Sequence, residues 1–128
     1  MNLSFETVNG VGVVRAHAQR IDAAVAIQFK DRFSEITRTL DREAPGLPGP
    51  RSGRAVLLDL TEVEFLDSSG LGAVVTARKL LGAGHRLALA GLQPAVEKVL
   101  RLTHMDRVFP IYADAEAFFS DMHDRQRA

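Results

Sequence analysis

The chain has 128 residues, 46% of them hydrophobic, which suits one compact domain with its own core, and we expect no second catalytic domain. Its 16 basic and 16 acidic residues give zero formal net charge, so no broad positive field exists to hold nucleic acid, and we expect no direct nucleic-acid binding. The sequence contains no cysteine, which excludes disulfides, thiol nucleophiles and the commonest structural zinc sites.

The first residues, 1–6, lack the basic start and the apolar stretch of a signal peptide. No later apolar run approaches the length needed to cross a membrane. We therefore expect a cytoplasmic location without membrane insertion.

The N-terminal part predicts a β-hairpin followed by a helix. Two β-prone runs, 3–8 and 11–18, flank Asn9-Gly10, a dipeptide that takes the positive φ of a tight turn. From Asp22, the natural N-cap, apolar residues recur with helical spacing: Val25, Phe29, Phe33, Ile36 and Leu40. Residues 43–53 hold three prolines and three glycines, which predicts an exposed loop.

Two unbroken apolar runs, 55–58 and 87–90, predict strands that are covered on both faces or buried centrally. A helical stretch from about Ser69 to Leu81 lies between them, so the strands should be parallel, with the helix start beside the carboxyl end of the first strand. Pro94 begins a predicted third helix, Asp114 caps a fourth, and residues 108–112 suggest a short edge strand.

The predicted order of elements is β-β-α-β-α-β-α-β-α, without an internal repeat. This order predicts an α/β fold in which about four helices pack on a mixed sheet of about four or five strands. We expect one domain over residues 1–128.

The most distinctive segment leads from the first buried strand into the second helix and contains Asp67-Ser68-Ser69-Gly70-Leu71-Gly72. A serine at a helix start is most often a cap, and either Ser68 or Ser69 fits that position, with Asp67 as a second capping residue. Gly70 and Gly72 permit either close approach of a partner or tight packing of helix on strand. The residues alone leave these alternatives open.

The second helix is predicted to be amphipathic. Its apolar side comprises Leu71, Val74, Ala77 and Leu81. Ser69, Gly72, Thr76 and Lys79 share another stripe, which is either a docking face or simply solvated.

The segment resembles the STAS domain family (sulfate transporter and anti-sigma factor antagonist), and the run at 67–72 is similar to that of its free-standing anti-anti-sigma members. Segments 20–22, 94–96 and 105–109 also fall where the family has similar residues, so the resemblance covers nearly the whole chain and implies a STAS-like domain. The sequence departs from the family pattern at three places. Gln19 and His104 stand where glycine is common, and the 43–53 loop is unusually long.

The resemblance implies an anti-sigma factor antagonist. Such a protein binds an anti-sigma factor with a histidine-kinase-like ATPase fold while unphosphorylated, which frees a sigma factor, and serine phosphorylation ends the binding. Ser68 matches the phosphorylated serine of the family, with Ser69 as the alternate, and a phosphatase is a further expected partner. The expected partner-binding residues are Asp22, Asp67, Ser69, Gly70, Gly72, Thr76 and Lys79.

The same resemblance leaves a second role open, because a shared fold does not determine function. The alternative is a STAS scaffold subunit of a signalling complex, or an accessory subunit of a lipid or anion transporter. Identification of the bound partner separates these roles.

An enzyme is the less favoured interpretation. It would use Ser68 or Ser69 as a nucleophile, but the run differs from the Gly-x-Ser-x-Gly elbow of esterases. The base would be one of His17, His85, His104 and His123. These histidines lack metal-ligand spacing, and Gly82-Ala83-Gly84 is better explained as a helix end than as a phosphate loop. We therefore predict a non-enzymatic protein without metal or cofactor.

Overall fold

The computed structural model describes residues 2–43, 54–82 and 85–127. Seven strands and four α-helices occur in these ranges. In chain order they are β1 (Asn2–Val8), β2 (Val11–His17), β3 (Arg20–Ile21), α1 (Ala23–Glu43), β4 (Arg54–Asp59), β5 (Phe65–Leu66), α2 (Ser68–Leu81), β6 (His85–Ala90), α3 (Pro94–Leu102), β7 (Ile111–Tyr112) and α4 (Ala115–Arg127). A single 3-10 turn, Met105–Arg107, lies between α3 and β7.

Five strands form one mixed sheet in the order β1-β2-β4-β6-β7. The β1–β2 pair is antiparallel, and its turn places Asn9 and Gly10 at φ 51° and 81°, as the Asn-Gly dipeptide predicted. The other pairs, β2–β4, β4–β6 and β6–β7, are parallel. The predicted mixed sheet with four helices is thereby confirmed.

The central strand β4 is buried on both faces, and its successive side chains point to opposite sides of the sheet. On β4, Val56 and Leu58 belong to a core that also contains buried residues of α1, α2 and α3. Ala55 and Leu57 belong to a second core that Phe118 of α4 covers. Each fully buried side chain of this size stabilises the fold by roughly 1.5–3 kcal/mol, which explains why both faces carry apolar residues.

Helix α1 is the longest helix, and its apolar stripe packs on the first core. Phe29 and Phe33 are fully buried, and their rings stack with centroids 5.9 Å apart. The Asp22 carboxylate accepts a hydrogen bond from the Ala24 N–H at 3.1 Å, so the predicted N-cap is confirmed. Gly82 ends α2 with φ 73°, as expected of a glycine after a helix.

Three details differ from the sequence predictions. Strands β3 and β5 were not predicted, and they pair in parallel as a separate two-stranded sheet. Helix α2 begins at Ser68, one residue before the predicted start. The strand predicted over 108–112 is confined to Ile111–Tyr112, because the N–H groups of Val108 and Phe109 both donate to the Met105 carbonyl.

Except for Glu43, the predicted loop of residues 43–53 lies outside the described residues. No helix that the structure describes has the length and apolar content to cross a membrane. His104, which stands where the family that the sequence resembles often has glycine, adopts the left-handed conformation with φ 60°.

Candidate functional site

Asp67 caps helix α2. Its carboxylate accepts a hydrogen bond from the Gly70 N–H at 2.8 Å, and its carbonyl accepts from the Leu71 N–H at 2.8 Å. The expectation that Ser68 or Ser69 caps the helix is therefore wrong, and the capping interpretation of Asp67 is confirmed. The reason is the earlier start of the helix, which places the serines at its first two positions, beyond the cap.

Ser68 and Ser69 are both exposed. Neither hydroxyl forms a hydrogen bond with another described residue, so neither contributes to capping. The first N–H groups of a helix lack intrahelical acceptors, and the helix dipole adds partial positive charge there. Both hydroxyls are thus exposed and without a hydrogen-bond partner among the described residues, at a helix start whose dipole favours an anion and beside the Asp67 carboxylate, which opposes one.

Gly70 and Gly72 have different roles. Gly70 is buried, and a Cβ atom built on it would lie 1.9 Å from the Ile21 carbonyl oxygen and 2.8 Å from a methyl carbon of Leu66. Glycine is needed there so that α2 can pack on β3, and Gly70 has little surface to offer a partner. A Cβ atom on Gly72 would meet nothing within 4 Å, so only this glycine leaves open space in front of α2.

Strands β3 and β5 bring Arg20, Asp22 and Phe65 to the same end of the sheet as Ser68. Arg20 lies opposite Phe65 in the β3–β5 pair, with its guanidinium carbon 4.3 Å from the centre of the ring. The Arg20 Nε atom lies 3.6 Å from a carboxylate oxygen of Asp22. Phe65 remains 38% exposed, only three residues before Ser68. Aromatic residues are enriched at protein–protein interfaces, so Phe65 is a candidate for contact with a partner.

The whole sequence was compared with models of known protein families. The family model of the STAS domain matches residues 2–117, nearly the whole chain. The chain belongs to the STAS domain family. The family resemblance seen in the sequence is confirmed.

Relatives of this STAS domain are named as anti-sigma factor antagonists. The anti-sigma F factor antagonist of Paenibacillus polymyxa is 33% identical over 58 residues, which are 44% of this chain and 50% of that protein. The chain thus spans about half the length of this curated relative. A solved anti-sigma-factor antagonist (STAS) domain protein from Planctomyces limnophilus matches with a TM-score of 0.75 and 25% identity, over 94% of this chain and 96% of that one.

A third comparison shows the fold alone. The Bacillus cell fate determinant SpoIIAA, solved in its phosphorylated form, matches with a TM-score of 0.61. The match covers 94% of this STAS domain and 99% of that chain, at 19% identity.

The α2 stripe of this STAS domain comprises Ser69, Gly72, Thr76 and Lys79. Three of them are exposed, and Thr76 is half-buried, with its hydroxyl donating to the Gly72 carbonyl at 2.9 Å. The opposite side of α2 is buried in the core through Ala73, Val74, Ala77 and Leu81. The stripe therefore faces solvent, while its contact with a partner stays a prediction.

Sequence analysis missed Phe65 as a surface residue. A two-residue strand has no alternation from which its exposed side could be read. The sequence offers only a weak indication that Phe65 is exposed. Phe65 lies two residues after Val63, which is buried, and directly before the segment that caps α2. Only the pairing with Arg20 shows that the ring lies at the edge of the site.

No hydrogen bond or ion pair joins a histidine to Ser68 or Ser69 within the part of the chain that the structure describes. His17 contacts the Ser4 hydroxyl through Nε2 at 2.8 Å and the Glu62 carboxylate through Nδ1 at 2.7 Å. This chain of contacts ties the β1–β2 hairpin to the segment after β4. None of the described residues forms a group of three or more side chains suited to hold a metal ion.

Proposed function

We propose that this STAS domain is an anti-sigma factor antagonist that acts by binding rather than by catalysis. In this proposal its unphosphorylated form binds an anti-sigma factor kinase with a histidine-kinase-like ATPase fold, which frees a sigma factor, and phosphorylation of Ser68 ends the binding. The observation that carries the proposal is the exposed and unbonded Ser68 hydroxyl at the start of α2. The family membership and the names of the relatives support it.

Ser68 is the proposed acceptor and Ser69 the alternate. Both are exposed, so accessibility does not separate them. Ser68 directly follows the Asp67 cap and matches the phosphorylated serine of the family that the sequence resembles. SpoIIAA, which shares the fold, exists in a phosphorylated form.

The proposed switch is electrostatic. A phosphate adds roughly −1.5 to −2 charges at neutral pH. The amino end of α2 favours that charge, whereas the neighbouring Asp67 carboxylate opposes it, so the two effects on the fold partly cancel. A partner surface that had fitted a neutral hydroxyl would instead bury an unpaired charge, which costs several kcal/mol. The phosphate therefore acts mainly on docking.

The proposed docking surface combines the α2 stripe with Phe65 of β5 and the two capping residues, Asp22 and Asp67. Asp22 and Asp67 also cap α1 and α2, so their carboxylates are held in place when a partner arrives. Gly70 is not part of this proposed surface, because it is buried and its packing against Ile21 explains why a glycine is needed there. A phosphatase that restores the free hydroxyl completes the proposed cycle.

The test begins with capture of partners from the lysate of the source cells. An ATPase of the histidine-kinase-like fold supports the proposal, whereas a transporter ATPase supports the accessory-subunit alternative. The captured kinase is then incubated with ATP and with wild-type, Ser68→Ala or Ser69→Ala protein, and phosphorylation sites are mapped by mass spectrometry. Labelling of Ser68→Ala as complete as that of the wild type contradicts Ser68 as acceptor.

A further inference from the structure

A cavity of about 730 Å³ lies at the end of α2 that is remote from Ser68. It is bounded by the last turn of α2, the start of β6 and the segment around the 3-10 turn. Its charged and titratable lining consists of Arg78, Lys79, His85, Arg86, Asp106 and Arg107. Its volume is within the range of small-molecule sites. The cavity lining on α2 begins at Arg78, which is about 15 Å from Ser68 along the helix.

The lining is strongly basic in a chain whose net charge is zero. Four lysine and arginine side chains surround the cavity, and Asp106 is its one carboxylate. None of the four cations forms an ion pair with a described residue, whereas Arg15, Arg32 and Arg101 elsewhere are paired. Unpaired cations that line one concave space repel each other, so an anion bound among them is favoured.

The helix dipole explains only part of this arrangement. Arg78 and Lys79 lie in the last turn of α2, where cations are stabilised by the helix end. Arg86 belongs to β6 and Arg107 to the 3-10 turn, so neither has that explanation. Three separate segments thus bring positive charge to the same cavity.

His85 also lines the cavity. Its Nδ1 atom lies 3.2 Å from the Leu81 carbonyl oxygen, while its Nε2 atom is buried without a hydrogen-bond partner in residues 2–43, 54–82 and 85–127. Buried polar atoms in native proteins are almost always paired. Nε2 has almost no accessible surface, so a ligand in the cavity would contact the rest of the His85 side chain and not this atom.

We propose that this cavity binds a small phosphate-bearing molecule with at least two anionic groups. Guanidinium groups match phosphate oxygens with paired hydrogen bonds, and three of the four cations are arginines. The concave shape fits a free small molecule. This ligand site lies apart from the serine run and does not depend on the function proposed for Ser68, although its lining shares Lys79 with the α2 stripe.

Calorimetric titration of the full chain with inorganic pyrophosphate at low ionic strength tests the proposal. We expect binding that weakens as salt is added, since the contacts are ionic. Arg78→Ala and Arg107→Ala should each weaken binding by at least about tenfold, the loss expected for one charge-assisted hydrogen bond. The control is Arg38→Ala, an exposed arginine of α1 that forms no ion pair with a described residue. It should bind like the wild type, and so should Ser68→Asp.

The contrary results are equally definite. Absence of pyrophosphate binding at low salt overturns the proposal, as does an equal loss of affinity in Arg38→Ala, which would indicate general charge attraction. Binding to phosphatidylglycerol vesicles, without binding to pyrophosphate or to phosphatidylcholine vesicles, would assign the basic residues to a membrane surface instead. Since Ser68→Asp retains the cavity, failure of the switch at Ser68 leaves the cavity result unaffected.

Discussion

Gly70 packs directly on the backbone of Ile21, so that a Cβ atom at position 70 would lie 1.9 Å from the Ile21 carbonyl oxygen. This contact sets the start of α2 against β3. The Asp67 N–H also donates to the Ile21 carbonyl, at 3.4 Å. The exposed Ser68 therefore sits between two residues that are held by the same carbonyl group.

Replacement of Gly70 by alanine should destabilise the domain. The added methyl group must displace backbone, and overpacking of this kind costs about 1–3 kcal/mol or more. Gly72→Ala is the matched control, because its methyl group would meet nothing within 4 Å and alanine is favoured over glycine in a helix by about 0.5–1 kcal/mol. Urea unfolding measures both changes. Equal stability of the two variants would contradict the close packing.

Loss of the Asp67 cap should cost more stability than loss of the Ser68 hydroxyl. Asp67→Ala removes the acceptor of the Gly70 N–H and should lower the free energy of unfolding by about 1 kcal/mol. Asp67→Asn keeps a capping oxygen and serves as the control. Ser68→Ala removes no hydrogen bond between described residues and should change stability by less than about 0.5 kcal/mol. Thermal melting of the three variants that reverses this order would refute the assignment of the cap.

A permanent charge at Ser68 should weaken binding to the anti-sigma factor without unfolding the domain. Ser68→Asp places a carboxylate in the first turn of α2, where negative charge is tolerated. An interface that buries it beside Asp67 should lose at least about tenfold in affinity, which requires only about 1.4 kcal/mol. Calorimetric titration measures the effect, with Ser68→Ala expected to bind like the wild type. Tight binding by a folded Ser68→Asp variant would contradict the switch at Ser68 and would favour Ser69 as the acceptor or the role as a transporter subunit.

Phe65 should contribute to partner binding more than to stability. It is 38% exposed and stacks on Arg20, a contact that contributes only about 0.5–1 kcal/mol at an exposed site. Phe65→Ala should weaken binding of the captured kinase at least about fivefold, since buried aromatic residues dominate interfaces. Leu102→Ala is the control, because Leu102 is 71% exposed and ends α3, outside the proposed docking surface. Equal affinity of the two variants would remove Phe65 from that surface.

The sequence by itself determined the local elements of this protein. The apolar period of α1 and the Asn9-Gly10 turn depend on neighbouring residues, so both were predicted correctly. The apolar run on β4 likewise predicted a strand covered on both faces, and Pro94 predicted the start of α3. The run at 67–72 was sufficient to indicate the STAS family.

Tertiary structure decided what depends on residues distant in sequence. The role of Gly70 is set by Ile21, and Phe65 is placed by Arg20 through two strands too short to carry a periodic pattern. The choice of Asp67 over the serines as cap depends on where β5 ends and α2 begins, a boundary of one residue that propensity does not resolve. The basic cavity brings together Arg78, Arg86 and Arg107, three cations that show no common pattern along the chain.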